Sequence, residues 1–172
     1  MRINIIKGLL PFLLFLSSNA VLADVSQDDF VAAAFPAATP ASHILWLTSP
    51  LRSRAAAVLG HEYAGMRVKY WSVGKRTAWV LDEIGKERPI TMGVVVEDGH
   101  ISALRILAYR ESRGNEVQQD FFTRQFINAT LGKDDRLDRD IDGITGATLS
   151  VGAVGRVARL ALVFDQAAST PP

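Results

Sequence analysis

Cysteine is absent from all 172 residues of the chain. Its absence excludes disulfides, thiolate metal sites, iron–sulfur clusters, c-type haem attachment and lipid modification at a cysteine. Any redox chemistry would then rest on a bound organic cofactor, or on a metal held by nitrogen and oxygen. Histidine is scarce as well: His43, His61 and His100 are the only three, and they lie far apart. His61-Glu62 opens like a zinc motif, but no second histidine stands four residues after the first, so no metal site is expected. The chain also lacks an excess of either charge, with 19 basic against 18 acidic residues. That balance gives no reason to expect nucleic acid or an anionic membrane as a partner. No P-loop, Rossmann fingerprint or nucleophile elbow is present.

What is there begins with a segment shaped like a secretory signal. Arg2 and Lys7 form a short positive region, Gly8 to Leu16 is apolar, and Val21-Leu22-Ala23 suits cleavage before Asp24. The apolar stretch is short for a bilayer span. Residues 1–23 are therefore expected to direct export to the periplasm, as a cleaved signal or as an anchor holding the protein at the membrane. Removing Arg2 and Lys7 leaves 17 basic residues facing the same 18 acidic ones.

The remaining length suits one α+β domain, a small antiparallel sheet packed with helices. Residues 24–62 are expected to be a helical N-terminal region. Ser26 would cap a helix through Phe30 to Phe35, and a second helical stretch is expected from Ser42 to Leu59, interrupted at Pro50 and ended by Gly60. From Arg67 the pattern changes to short strands. Arg67–Val73 and Arg76–Ile84 flank Gly74-Lys75, and Pro89–Val96 and His100–Tyr109 flank Asp98-Gly99; both dipeptides are hairpin turns by composition. Ile101–Tyr109 is apolar on both faces apart from Ser102 and Arg105, so it should be covered on both sides.

A helix from Val117 to Ile127 is expected next, with Phe121, Phe122 and Phe126 as its stripe, followed by a charged loop from Gly132 to Asp140. The last helix is expected over Leu149–Gln166, with Val154, Val157, Ala158 and Ala161 on its buried face and Gly152 and Gly155 leaving room for close approach to the sheet. Beyond it the tail from Ala167 is expected to fray.

The segment that carries chemistry is Asp142-Gly143-Ile144-Thr145-Gly146-Ala147-Thr148. It is a loop of small residues running into a helix, whose first-turn amides lack intrahelical acceptors and carry the positive end of the helix dipole. That is a natural place for a phosphate. Gly146 and Ala147 let a bulky ligand approach the backbone, and Thr148 puts a hydroxyl at the same point. By residue chemistry alone, Thr145 or Thr148 could equally be an ordinary helix cap.

The segment resembles the flavinylation motif of the FMN-binding domain family: Asp, two free positions, Ser or Thr, Gly, Ala, then Thr or Ser. Asp142, Thr145, Gly146, Ala147 and Thr148 match every specified position. The likeness extends from Tyr63 to Gln166, and is to the peripheral flavin subunits of the sodium-pumping NADH:quinone reductase and the Rnf complex. Glu111-Ser112-Arg113-Gly114-Asn115-Glu116 stands where those relatives read Glu-Thr-Pro-Gly-Leu-Gly, and Leu149-Ser150-Val151 where they read Leu-Thr-Ser. The single-domain, signal-bearing form looks more like stand-alone periplasmic members.

The resemblance implies an FMN-binding domain over residues 63–168, with FMN esterified through its phosphate to Thr148 by a dedicated flavin transferase. Asp142 would assist that attachment. Thr145, Gly146 and Ala147 would line the phosphate, and Glu111 would help to position the flavin. Trp71, Trp79, Phe121 and Phe122 are candidates for an aromatic wall beside the ring, or for plain core. The implied function is electron relay between membrane or periplasmic redox proteins. The alternatives are a flavin-dependent reductase of a specific acceptor, and a binding module with no redox cofactor.

Overall fold

A computed structural model describes residues 24–170; the expected signal segment lies outside them. The chain forms an α+β fold, one five-stranded antiparallel sheet in the order β1-β2-β3-β4-β5 with helices on both faces.

The first helix, α1 (Gln27–Ala34), starts as its sequence predicts. The Ser26 side chain accepts from the Asp29 amide, and Asp28 and Asp29 place negative charge in the first turn. The second helical stretch is shorter than expected. Residues 41–46 are a strand, β1 (Ala41–Trp46), and α2 (Ser49–Leu59) begins only after it. Pro50 therefore interrupts nothing: it sits in the first turn of α2, where its missing N–H leaves no hydrogen bond unmade. Residues 42–46 have only weak helical preference, and the free edge of β2 (Arg67–Val73) offers them a ladder running from Ala41↔Ser72 to Trp46↔Arg67. The sheet thus extends across the boundary expected near residue 63.

The two hairpins form as their turn residues require. Strands β2 and β3 (Arg76–Ile84) join through Gly74 at φ 57°. Strands β4 (Pro89–Glu97) and β5 (His100–Tyr109) join through Asp98 and Gly99, both at positive φ.

After β5 the expected continuous helix is broken into a 3-10 turn (Asn115–Gln118), a one-turn helix α3 (Asp120–Thr123) and a second 3-10 turn (Arg124–Phe126). Gln119 is extended, with φ −80° and ψ 148°, and interrupts the periodicity. Phe122 and Phe126 are buried while Phe121 points outward, so the three phenylalanines are not one stripe.

The closing helix α4 (Thr148–Ser169) runs past Gln166, and Ala167 to Ser169 are helical rather than frayed. Its buried face includes Ala153, Val154, Val157, Ala158, Ala161 and Phe164, which pack with Trp79, Met92 and Val94 of the sheet in the main core. Gly152 and Gly155 do not provide the close approach to the sheet: a side chain at Gly152 would meet only Arg156, and one at Gly155 nothing. The sheet instead approaches the alanines. On the opposite face α1 covers Trp71, Ala78, Val95 and Leu107. Gly93 is required there, since a Cβ would fall 2.5 Å from the Phe30 ring. Strand β5 is accordingly buried from both sides, with Ile106 facing α4 and Leu107 facing α1.

An ion-pair cluster ties α4 to the sheet. The buried Glu83 carboxylate accepts from Arg156 Nε at 2.8 Å and lies 3.1 Å from His61 Nε2. His61 is thus engaged in a structural pair, and among the described residues no group of three or more His, Asp or Glu could hold a metal. None of the described helices is long and apolar enough to cross a membrane.

Candidate functional site

The start of α4 lies at the sheet end formed by the close of β3, the start of β4 and the close of β5. The Ala147 amide donates to Ile144 O at 3.0 Å, Gly146 takes φ 83°, and the first bond of the helix proper runs from the Val151 amide to Ala147 O at 2.9 Å. The cap position is Ala147, which has no side-chain acceptor, and no acidic residue occupies the first turn. Neither Thr145 nor Thr148 caps the helix. The amides of Thr148, Leu149 and Ser150 therefore find no acceptor among the described residues. They leave three aligned donors and the positive end of a 22-residue helix facing outward. Thr148, the first helical residue, is exposed beside them.

These residues form one wall of an open cleft of about 540 Å³, whose other wall is Lys86, Glu111, Ser112 and Arg113. Its size is in the range of small-molecule and cofactor sites. The second wall is built by side chains that hold backbone. Glu111 Oε1 accepts from the amides of Lys86, Glu87 and Arg88 at 2.5, 2.7 and 3.0 Å. The Arg88 and Glu87 amides do most to hold its carboxyl below the usual carboxylate range, with burial opposing them. Glu111 thereby fixes the β3–β4 turn and with it the base of Lys86.

Tyr109 joins the two walls. Its hydroxyl donates to Arg113 O and lies 2.9 Å from Ser150 Oγ in the first turn of α4. Burial raises the Tyr109 phenol above its ordinary value, which keeps it a neutral donor. Gly114 passes between them at φ 85°; a Cβ there would lie 2.9 Å from the Tyr109 hydroxyl and 3.2 Å from Ala147 Cβ. A residue other than glycine would push the walls apart.

Of the residues singled out in the sequence, Glu111, Gly146, Ala147 and Thr148 line the cleft, while Asp142 and Thr145 do not. Both of these are exposed. The backbone of Asp142 is held by Gln125, which accepts from its amide at 2.7 Å, and its carboxylate makes no hydrogen bond with the described residues. None of the four aromatic candidates borders the cleft. Trp79 and Phe122 belong to the core under α4, Trp71 packs under α1, and Phe121 is exposed elsewhere.

Sequence reasoning missed Lys86, Ser112, Arg113, Tyr109 and Ser150. Gly114 was the available signal for three of them, because a glycine at left-handed φ marks close approach. Lys86 had none, since only the β3–β4 turn brings it to the cleft.

The arrangement can bind an anion. Unpaired amides and a helix dipole face a cleft flanked by Lys86 and Arg113, and small residues allow close contact. It also exposes a hydroxyl for esterification. A flavin mononucleotide fits this donor set by its phosphate, while the mouth of the cleft is left open for the ring.

Residues 85–163 match the family model described as FMN-binding domain, a span that includes every residue lining the cleft. No curated protein was found to match the chain.

Proposed function

We propose that this chain, whose residues 85–163 belong to the FMN-binding domain family, is an exported flavoprotein that carries FMN on Thr148 and relays electrons outside the cytoplasm. The observation that carries the reading is the exposed Thr148 hydroxyl at an uncapped helix start, inside a cleft whose other wall presents Lys86 and Arg113. In the maturation step a flavin transferase would supply FAD. Thr148 would supply the oxygen of the new phosphoester, with the pyrophosphate bond broken, AMP as the leaving group and the hydroxyl proton passing to solvent.

Bound FMN would supply one- or two-electron transfer, and the protein its position and tuning. The amides of residues 148–150 would hold the phosphate oxygens, with Lys86 and Arg113 balancing their charge. Glu111 would position rather than bind, since its carboxylate oxygen already accepts three amides of the β3–β4 turn. Asp142, exposed and outside the cleft, suits a role in attachment, in contact with the transferase.

The test is in-gel flavin fluorescence after denaturing electrophoresis, on protein coexpressed with an active transferase in an exporting bacterium. The wild-type band is expected to fluoresce and the Thr148→Ala band to be dark. A dark wild-type band, beside a fluorescent control substrate, would sink the covalent link and favour a binding module. Steady turnover of a ferric chelate or organic acceptor with a chemical reductant would mark a reductase instead.

A further inference from the structure

The sheet splits at the end that carries the cleft. Strand β2 pairs with β1 over Arg67–Ser72 but with β3 only over Tyr70–Val73. Strand β3 meanwhile stays paired with β4 out to Ile84↔Pro89. The pairs that would continue the β2–β3 register, Lys69 with Val80 and Arg67 with Asp82, are absent. A groove of about 470 Å³ occupies the split, with Leu59, Tyr63 and Gly65 on one side and Val80, Asp82 and Ile84 on the other.

Packing holds the split open. The Tyr63 ring meets Phe164 of α4 edge-on, with centroids 5.6 Å apart, and folds against Gly65. A Cβ on Gly65 would lie 2.9 Å from that ring and 3.3 Å from Arg67 O. The loop after α2 is thus anchored to the core instead of being laid along β3. The two-residue turn makes Val73↔Arg76 a hydrogen-bonded pair, and alternation along the strand then aims the N–H and C=O of Asp82 and the N–H of Ile84 into the groove. No loop residue accepts from either amide, and Ile84 O is taken by Arg156 at 3.2 Å. The outer edge of β5 is treated differently: Leu107 O accepts from the Val25 amide, and Ile101 exchanges bonds with residues 128 and 129.

The charged side chains lining the groove are His61, Glu62, Asp82 and Glu83, with no lysine or arginine among them. Glu83 is buried and engaged by Arg156 and His61. Glu62 and Asp82 form no ion pair among the described residues. Arg67 and Arg52, on the β2 side, are turned to Trp46 and to Met66.

We propose that the split is a docking groove for an extended, lysine- or arginine-bearing segment of a partner protein, which adds to the open edge of β3. Unpaired donors and acceptors in strand register are complementary to another extended backbone, and the alternating side chains supply selectivity. The apolar residues of the segment face Leu59 and Leu81, and its cations face Asp82 and Glu62. The docking does not rest on the flavin reading. Its use does: the groove ends at the β3–β4 turn, which carries Lys86 into the cleft, so a docked partner stands one turn from the flavin.

The probe is the blocked peptide Ac-Val-Lys-Val-Lys-Val-NH2, and the readout is amide hydrogen exchange by NMR on the protein purified after export. In the free protein the Asp82 and Ile84 amides should exchange fast, and those of Leu81 and Glu83, which face β4, slowly. The peptide should slow Asp82 and Ile84 at least about tenfold. A peptide with glutamate in place of lysine should bind at least about tenfold more weakly, and one methylated on its backbone nitrogens should not protect them. In Glu62→Gln/Asp82→Asn the lysine preference should vanish while the protection remains, since asparagine can still accept from the Thr91 hydroxyl.

Protection of Asp82 and Ile84 in the free protein, no slowing by the peptide, or slowing confined to β1 would overturn the docking. A lysine preference that persists in the double variant would overturn the choice of a basic segment. Thr148→Ala is run alongside: a dark wild-type gel band with slowing intact sinks the flavin reading alone, and a fluorescent band without slowing sinks the docking alone.

Discussion

Helices α1 and α4 begin in opposite ways. At α1 the Ser26 hydroxyl takes the Asp29 amide, and the Asp28 and Asp29 carboxylates oppose the dipole and repel an anion, although the Gln27 and Asp28 amides have no acceptor among the described residues. At α4 the cap is an alanine, the turn before it is a left-handed glycine, and three amides point into a cleft. The first helix caps one of its amides and sets its own negative charge beside the rest. The second leaves its end incomplete, with basic residues opposite. An unsatisfied helix start costs stability in the free protein and is made good by an anion. The N-terminus of α2 lies between the two: Thr48 makes no side-chain cap, but Pro50 removes one of the amides that would need an acceptor.

The largest expected effect follows at once from that contrast. Thr148→Ala should abolish the covalent flavin signal completely and leave the unfolding free energy of flavin-free protein within about 0.5 kcal/mol of wild type, because no cap is lost. A clear loss of stability, measured by urea unfolding, would show that Thr148 caps the helix after all.

Next in size is Gly114→Ala. Its Cβ would meet the Tyr109 hydroxyl at 2.9 Å with the backbone at φ 85°, and should cost about 2 kcal/mol in urea unfolding as well as lowering flavin occupancy. Wild-type stability and occupancy would mean that the two walls can part freely.

The acid limb of stability gives a smaller effect. Glu111 and Asp138 both have depressed carboxyl values, Asp138 at about 2 because Arg139 and the Thr130 amide hold it charged. A depressed folded value contributes stability that is present above the unfolded value and lost as pH falls through the folded one. The unfolding midpoint should therefore drop as pH falls from about 4 toward 2, and Glu111→Gln should flatten that drop while lowering the midpoint at neutral pH. An unchanged acid profile in Glu111→Gln would remove the β3–β4 clamp from the account.

The smallest effect sharpens the other side of the comparison. Ser26→Ala should cost about 1 kcal/mol in thermal or urea unfolding and leave flavin loading untouched. A loss of loading would mean that α1 and the cleft are coupled.

Much of the fold was legible because its signals are local. Asp98-Gly99 specifies a tight turn through the backbone angles those residues tolerate, and the 3.6-residue spacing of Val154, Val157, Ala158 and Ala161 specifies a buried helix face. Residues 42–46 misled because their state depends on a neighbour: only the free edge of β2 makes them a strand. Phe121 misled because it and Phe122 are neighbours in α3 and point to different sides of it, so only Phe122 reaches the core. The site was legible where it is contiguous, from Gly146 to Thr148, and silent at Lys86, which reaches the cleft from a turn more than fifty residues earlier in the chain.

By itself the sequence determined the α+β class, both hairpins, the final helix and the hydroxyl that begins it, since each depends on torsional preference and apolar period within a short stretch. Only the tertiary structure decided that this hydroxyl shares a cleft with Lys86 and Arg113, and that Glu111 holds backbone instead of ligand. These are distances between segments remote in sequence, and they are set by strand register and core packing.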